Sequence, residues 1–371
     1  MGWKLNDLTD RVGAPLATVF GLSGYMFVLL GTQHILYQEL AGDGEGNGRL
    51  HELWWNSEGW HHHDLTALAH ATPISNAPSG YAFEELAGDG TQHAIYQGFV
   101  AGQGDDGHVH EIFWVDDDKQ HNDLTKKAHA PNMLGDPFGY AFLGQHIVYE
   151  GEDHHIHWLR WDIDNGWQHT DLFSFPTTAD APLALQAPTA YGFRSERTHH
   201  VLYVGFDQHV HELWRDLQTW HHHDLTLAAR APLAADQATG FAVDSERSQF
   251  VHYRGTDGHI HQLRWSNGVW QPLDLTDKIG GPLAVSGARP TGYLFPSDGT
   301  LHVNYLGVDG HIHEYWRDDG NGWHHNDLSM ATNAPLALSN PTAYAFAQQN
   351  TQHVAFVSDE HHVIELFWVP A

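Results

Sequence analysis

Four short runs recur in a fixed order along the chain, and no other feature limits its fold so tightly. An Asp-Leu pair closes one run at Asp7, Asp64, Asp123, Asp171, Asp224, Asp274 and Asp327, spaced 48 to 59 residues apart. An aromatic run follows, at Tyr25, Tyr81, Tyr140, Tyr191, Phe241, Tyr293 and Tyr344. A run of the "TQHILY" type comes next, with His34, His93, His146, His200, His302 and His353, and Phe250 in the remaining copy. The last type reads "LHELWW", "VHEIFW", "IHWLRW", "VHELWR", "IHQLRW", "IHEYWR" and "VIELFW". Self-similarity at such a period marks a repeat architecture. Each run is rich in β-branched and aromatic residues and is bounded by Gly, Asp and Asn, the pattern of a strand. No stretch keeps a 3.6-residue apolar period, so helices should be minor.

Seven units of four strands predict an all-β fold, a seven-bladed β-propeller forming one domain over residues 1–371. The chain opens on "WKLNDLT", a fourth run, and stops after "VIELFWV", a third run. The N-terminal strand is therefore expected to complete the last blade from outside and remove an open edge. A linear solenoid is the runner-up, but it would need polar caps that neither end resembles. Asp257-Gly258 and Asp309-Gly310 read as two-residue type I′ hairpins. With that register, Glu314 falls opposite Tyr305, and His302 shares a face with His311 and His313. The second-to-third strand connection is longer in blades one and two (Tyr37 to His51, Tyr96 to His110) than in blade three (Tyr149 to His157). These Gly-rich, acidic inserts should be surface loops.

The formal charge is −29, with only 17 Lys+Arg. Phosphate contact needs clustered cations, so nucleic acid and anionic membrane surfaces are excluded as partners. No apolar run approaches the roughly 18 residues of a membrane span. The N-terminus lacks a basic flank and an apolar core, so no signal peptide is expected, leaving a soluble cytoplasmic or mature secreted protein. Cysteine is absent, which removes disulfides and thiolate chemistry. With 34 histidines, charge should rise steeply between about pH 7 and 5.

The seven Asp-Leu aspartates read as structural. A tryptophan precedes each by four residues except where Lys119 stands. In "GWHHHDLT", Trp60, His62 and Asp64 share one strand face, and His61 and His63 share the other. Paired histidines such as His311 and His313, with His302, are weak candidates for zinc or copper. Asp43, Glu45 and Asn47 of "DGEGNG" alternate like calcium ligands but lack the closing bidentate glutamate. The glutamates of the "HEL" runs recur too often to single out a catalytic pair. No phosphate loop, nucleophile elbow or HExxH motif occurs. No metal or cofactor is expected.

The last two positions of the "HELWW" run vary, and there unique sites are sought. They hold Trp55, Trp114, Trp161, Trp265 and Trp368, and the arginines Arg160, Arg215, Arg264 and Arg317. These are the candidate ligand-binding residues: an aromatic face for a sugar ring, with Arg or His for its hydroxyls. The other reading is cation–π packing between blades.

The four-strand repeats, Trp-rich blades and seven-fold copying resemble the seven-bladed β-propeller lectins of fungi and bacteria. The resemblance implies shallow sugar pockets between adjacent blades, and a glycan or other small molecule as partner. Two alternatives stand beside it: an enzyme with one axial or top-face site, His-ligated and metal-dependent, and a protein-interaction scaffold. The sequence does not show the ligand or the oligomeric state.

Overall fold

The computed structural model describes residues 2–40, 48–84, 90–115, 118–318, 320 and 322–370. Seven four-stranded antiparallel sheets form the blades, over residues 23–64, 74–123, 133–171, 189–224, 239–274, 291–327 and 342–369, the last joined by Gly2–Asp7. First strands of consecutive blades pack in a closed cycle, blade seven returning to blade one. The fold is the expected seven-bladed propeller. The N-terminal strand closes it from outside, pairing from Gly2↔Val369 to Asp7↔Ile364.

Second strands are buried along most of their length, and throughout in Thr32–Gln38 and Thr351–Val357. Each lies under two neighbouring blades, so its apolar residues run consecutively, as in Ile35, Leu36 and Tyr37, after the buried polar Thr32, Gln33 and His34. The core accordingly sits between blades. One cluster joins Tyr140, Val148 and Trp158 of blade three to Val201, Leu213 and Trp220 of blade four.

The "DLT" signature has three separate jobs. In blade four Asp224 caps the short helix Leu225–Ala229, accepting from the Leu227 N–H at 2.8 Å, a preferred N-cap arrangement. Leu225 is fully buried. The Thr226 hydroxyl accepts from the first N–H of the third strand, Val210, at 2.7 Å. Six such helices follow fourth strands, and blade three, with Phe173 after Leu172, has a turn in that place. The sequence reading expected few helices and missed that the aspartate caps one.

The glycine of "GY" is a contact requirement. A Cβ on Gly80 would lie 2.5 Å from the Tyr25 ring of the preceding blade, and one on Gly139 2.6 Å from Tyr81. Gly80→Val is expected to lower stability by about 1–3 kcal/mol through overpacking. Urea unfolding would show this as a lower midpoint at unchanged slope, and an unshifted midpoint would contradict it.

The hairpin expectation is overturned. The connection at Asp257 has three residues, closed by Gly255 N–H to His259 C=O at 2.9 Å. Only Gly258, at φ +83°, needs the left-handed region. The Asp257 carboxylate takes the His259 N–H (3.0 Å) and the His261 Nε2 (3.1 Å), which draws the turn into this longer form. One extra loop residue flips every side chain to the other face. Glu314 therefore pairs with Asn304, and Tyr305 with His313. His302 faces Glu314, on the side away from His311 and His313.

Candidate functional site

Each blade has two unlike faces. On the face toward the preceding blade, paired histidines brace the third strand against the fourth. His211 Nε2 bonds Asp207 at 3.0 Å, His211 Nδ1 meets His222 Nε2 at 3.0 Å, and the ring stacks on Tyr203. His209 bonds the capping Asp224 at 2.6 Å. The imidazole pair recurs as His51–His62, His110–His121, His157–His169 and His313–His325. The middle histidine of "HHH" is thus framework, as the repeated Trp-His-Asp face implied.

The metal candidates divide. His302 is not with His311 and His313. Ligand atoms of Asp309, His311, His313 and Asp327 do lie within 4.8 Å of one another. As the structure stands they are hydrogen-bonded in pairs, His311 to Asp327 (2.8 Å) and His313 to Asp309 (3.1 Å). Asp43, Glu45 and Asn47 lie outside the described residues.

The face toward the following blade carries a second relay. His34 Nε2 meets the Thr32 hydroxyl at 2.7 Å, and Nδ1 meets Glu52 at 2.8 Å. The other Glu52 oxygen takes His63 at 3.0 Å. Burial alone would raise the Glu52 carboxyl, and the bonds from His34 and His63 outweigh it, bringing it down to about 2. The same Thr-His-Glu set occurs at His93, His200, His302 and His353. Hydroxyl, imidazole and carboxylate in this order match a nucleophile-activating triad. Five copies, each with its histidine and glutamate buried, make it framework. His61 and His221, from the outer face of "HHH", stack on Trp54 and Trp214 at 4.4 and 4.3 Å.

Where blades meet, this relay face opposes the other face of the next blade. Tyr191 donates to Gln249 across one such junction, and Tyr293 to Gln352 across another. The two variable positions of "HELWW" thus leave the blade on opposite sides and belong to different junctions. Between blades six and seven a cavity of about 190 Å³ is lined by Trp3, Trp316, Trp368, His302, Glu314 and Asn326. Asn326 donates to Glu314 at 2.8 Å, while the buried Trp316 Nε1 has no partner. Between blades three and four a cavity of about 180 Å³ is lined by Trp158, Arg160, Phe175, Arg215, Gln218 and Trp220.

The sequence candidates sort accordingly. Trp368, Arg160 and Arg215 line these cavities. Trp55, Trp265 and Trp368 pack edge-on against Phe346, Phe193 and Phe295 of the preceding blades. Trp114 is buried beneath Lys119, and Trp161 is 42% exposed beside Trp167. Arg264 and Arg317 share a junction, both over Phe250 and both held by Glu246. Trp3, Trp316, Glu314 and Asn326 were not singled out. Trp3 and Glu314 looked like framework because their copies recur, and only the junction shows that framework also lines a cavity.

A third cavity, about 310 Å³, lies where the first strands of all seven blades begin. It holds an ion pair between Arg289 and Asp136 at 2.9 Å, joining blade six to blade three.

No protein-family model and no curated protein sequence matches the chain. Solved structures do. A lectin of Burkholderia pseudomallei, BP39L, superposes with a TM-score of 0.69 at 13% identity, covering 96% of this chain and 97% of its own. The fold is that of the propeller lectins. AofleA of Arthrobotrys oligospora has a TM-score of 0.56 at 13% identity, covering 88% of this chain and 89% of its own. The lectin SapL1, solved with α-methyl fucoside, has 0.53 at 16%, covering 84% of this chain and 97% of its own.

Proposed function

We propose that this chain is a multivalent carbohydrate-binding propeller whose ligands enter the clefts between blades. The observation that carries this reading is the cavity between blades six and seven. Tryptophans wall it from both sides, and Glu314 and Asn326 supply acceptor and donor groups. An aromatic face with a few fixed polar groups suits a sugar ring and its hydroxyls. Related clefts around one ring would gain avidity on a glycan surface. Fucosides are the first probes, because SapL1 and the Aleuria aurantia lectin were solved with them.

The test is a glycan array followed by calorimetry with methyl α-fucoside and other neutral monosaccharides. Binding with more than one site per chain is expected. Trp368→Ala, which strips one wall of one cleft, should weaken or remove a single site, a loss of about ten-fold or more at that cleft. An array without hits at both about pH 7 and about pH 5.5, on either side of histidine titration, would overturn the reading.

A further inference from the structure

We propose that the cleft between blades three and four is a separate site for an acidic sugar, one bearing a carboxylate or sulfate. This deepens the carbohydrate-binding reading and rests on it.

Arg160 and Arg215 come from successive blades and meet over one aromatic. Each guanidinium carbon lies 5.9 Å from the centre of the Trp158 ring. Both arginines line the 180 Å³ cavity, with Thr170, Gln218 and Thr219 adding polar groups. Among the described residues no carboxylate stands within 4.0 Å of either guanidinium. The acids nearby in sequence make their hydrogen bonds elsewhere, though Asp162, whose carboxyl is lowered chiefly by its Asn165 bonds, is near enough for the Arg160 charge to help lower it. Asp162 accepts from the Asn165 backbone and side chain at 2.9 and 2.8 Å. Asp216 takes His221 at 3.0 Å and the N–H groups of Gln218 and Thr219.

Two open cations in one cleft stand out in a chain with 46 acidic and only 17 basic residues. The junction between blades five and six supplies the contrast. Arg264 and Arg317 also converge on one ring, but Glu246 bonds both and offsets one of their two charges from within. Blades three and five both lack the glutamate of the Thr-His-Glu relays, with Trp158 and Gln262 in its place, but only blade five supplies a carboxylate from a turn, Glu246, in compensation. His146 and His199 lie against Trp158. Burial foremost, with neighbouring positive charge, holds them at about 3 and about 4. They stay neutral near pH 7, and the positive charge belongs to the arginines. Paired guanidinium groups favour planar or tetrahedral oxyanions through charge-assisted hydrogen bonds, and the buried Trp158 and Trp220 form the floor on which the two arginines are held.

The test uses sugars matched except for their charge: galactose with galacturonate and galactose 6-sulfate, glucose with glucuronate, and mannose with mannuronate. Each is titrated into the full chain by calorimetry at low and high salt. At least one acidic member should bind about ten-fold or more tighter than its neutral partner at low salt, at one site per chain. That preference should vanish in the double variant Arg160→Gln/Arg215→Gln and persist in Arg264→Gln/Arg317→Gln. The paired arms separate carboxylate from sulfate as the preferred anion. If neutral sugars bind but no acidic partner gains affinity, or the gain survives in Arg160→Gln/Arg215→Gln, the inference is overturned while the general reading stands. If no sugar of either kind binds, both fall.

Discussion

Deletion of residues 1–7 should abolish the folded ring. The strand Gly2–Asp7 pairs along its length with Val363–Val369, and its loss would expose that edge, a template for aggregation. The damage would not stop at hydrogen bonds. Asn6 donates to the buried Glu365 at 2.7 Å, the Asp7 carboxylate lies 2.6 Å from the His362 ring, and Trp3 packs against the core that joins blades six and seven. Removing Asn6 would leave the second oxygen of a buried carboxylate without its donor, a costly state. The expected result is loss of cooperative unfolding, with aggregated or partly folded protein on size exclusion. A circular permutant that places residues 1–7 after Val369, through a short linker, should recover a cooperative transition. A truncated chain that melts like the intact one would refute this account of closure.

Acidification from about pH 7 to about pH 5 should remove several kcal/mol of stability. Burial foremost, then the neighbouring charge of His199, brings His146 down to about 3. Burial and Arg215 bring His199 to about 4, and burial, opposed by the Gln262 bond, brings His252 to about 4. A base whose pKa is lowered by folding binds fewer protons when folded than in the unfolded chain, where it titrates near 6.5. Its stabilising contribution is complete above about 6.5 and is lost as pH falls toward the folded value. At pH 5 each of these groups would cost roughly 2 kcal/mol, about 6 kcal/mol if they titrated independently. His146 and His199 are 4.7 Å apart, so they titrate as a pair. The depressed carboxyls of Glu52 and Asp123, both at about 2, act later, since their contribution fades only below about pH 4.5. Urea unfolding at pH 7, 6 and 5 should show the loss. His252→Gln should shrink it by roughly a third. Flat stability over this range would contradict the mechanism.

Much of the architecture was legible because it is written seven times. Strand count, blade count and closure need only the order of the runs, and a ring leaves little choice once the chain ends are matched. What each side chain faces was less accessible. The hairpin at Asp309-Gly310 looked like two residues and is three, and that one residue moved Glu314 from Tyr305 to the side of His302. Short dipeptide signals do not distinguish these cases, because an aspartate that accepts from residues farther along the chain favours the longer turn. The candidate site was half legible. Arg160, Arg215 and Trp368 were named from their variability. Their partners were not, because contact between blades depends on a register that no single repeat contains. Glu246, which closes over Arg264 and Arg317, sits in a turn outside the four runs.

The division of the "HELWW" run between two sides has a consequence for how such a chain changes over generations. The unit that is copied is the repeat, but the unit that would hold a ligand is the seam between two repeats. Exchanging one blade therefore rewrites two seams at once, each pairing an old half with a new one, while deleting or duplicating a blade creates one seam between halves that had not met. The four arginines fall in this way: Arg160 meets Arg215, and Arg264 meets Arg317, each pair drawn from adjacent blades. Selection on one specificity acts on neighbouring repeats jointly, and transplanting a single blade would move half of two specificities and the whole of none.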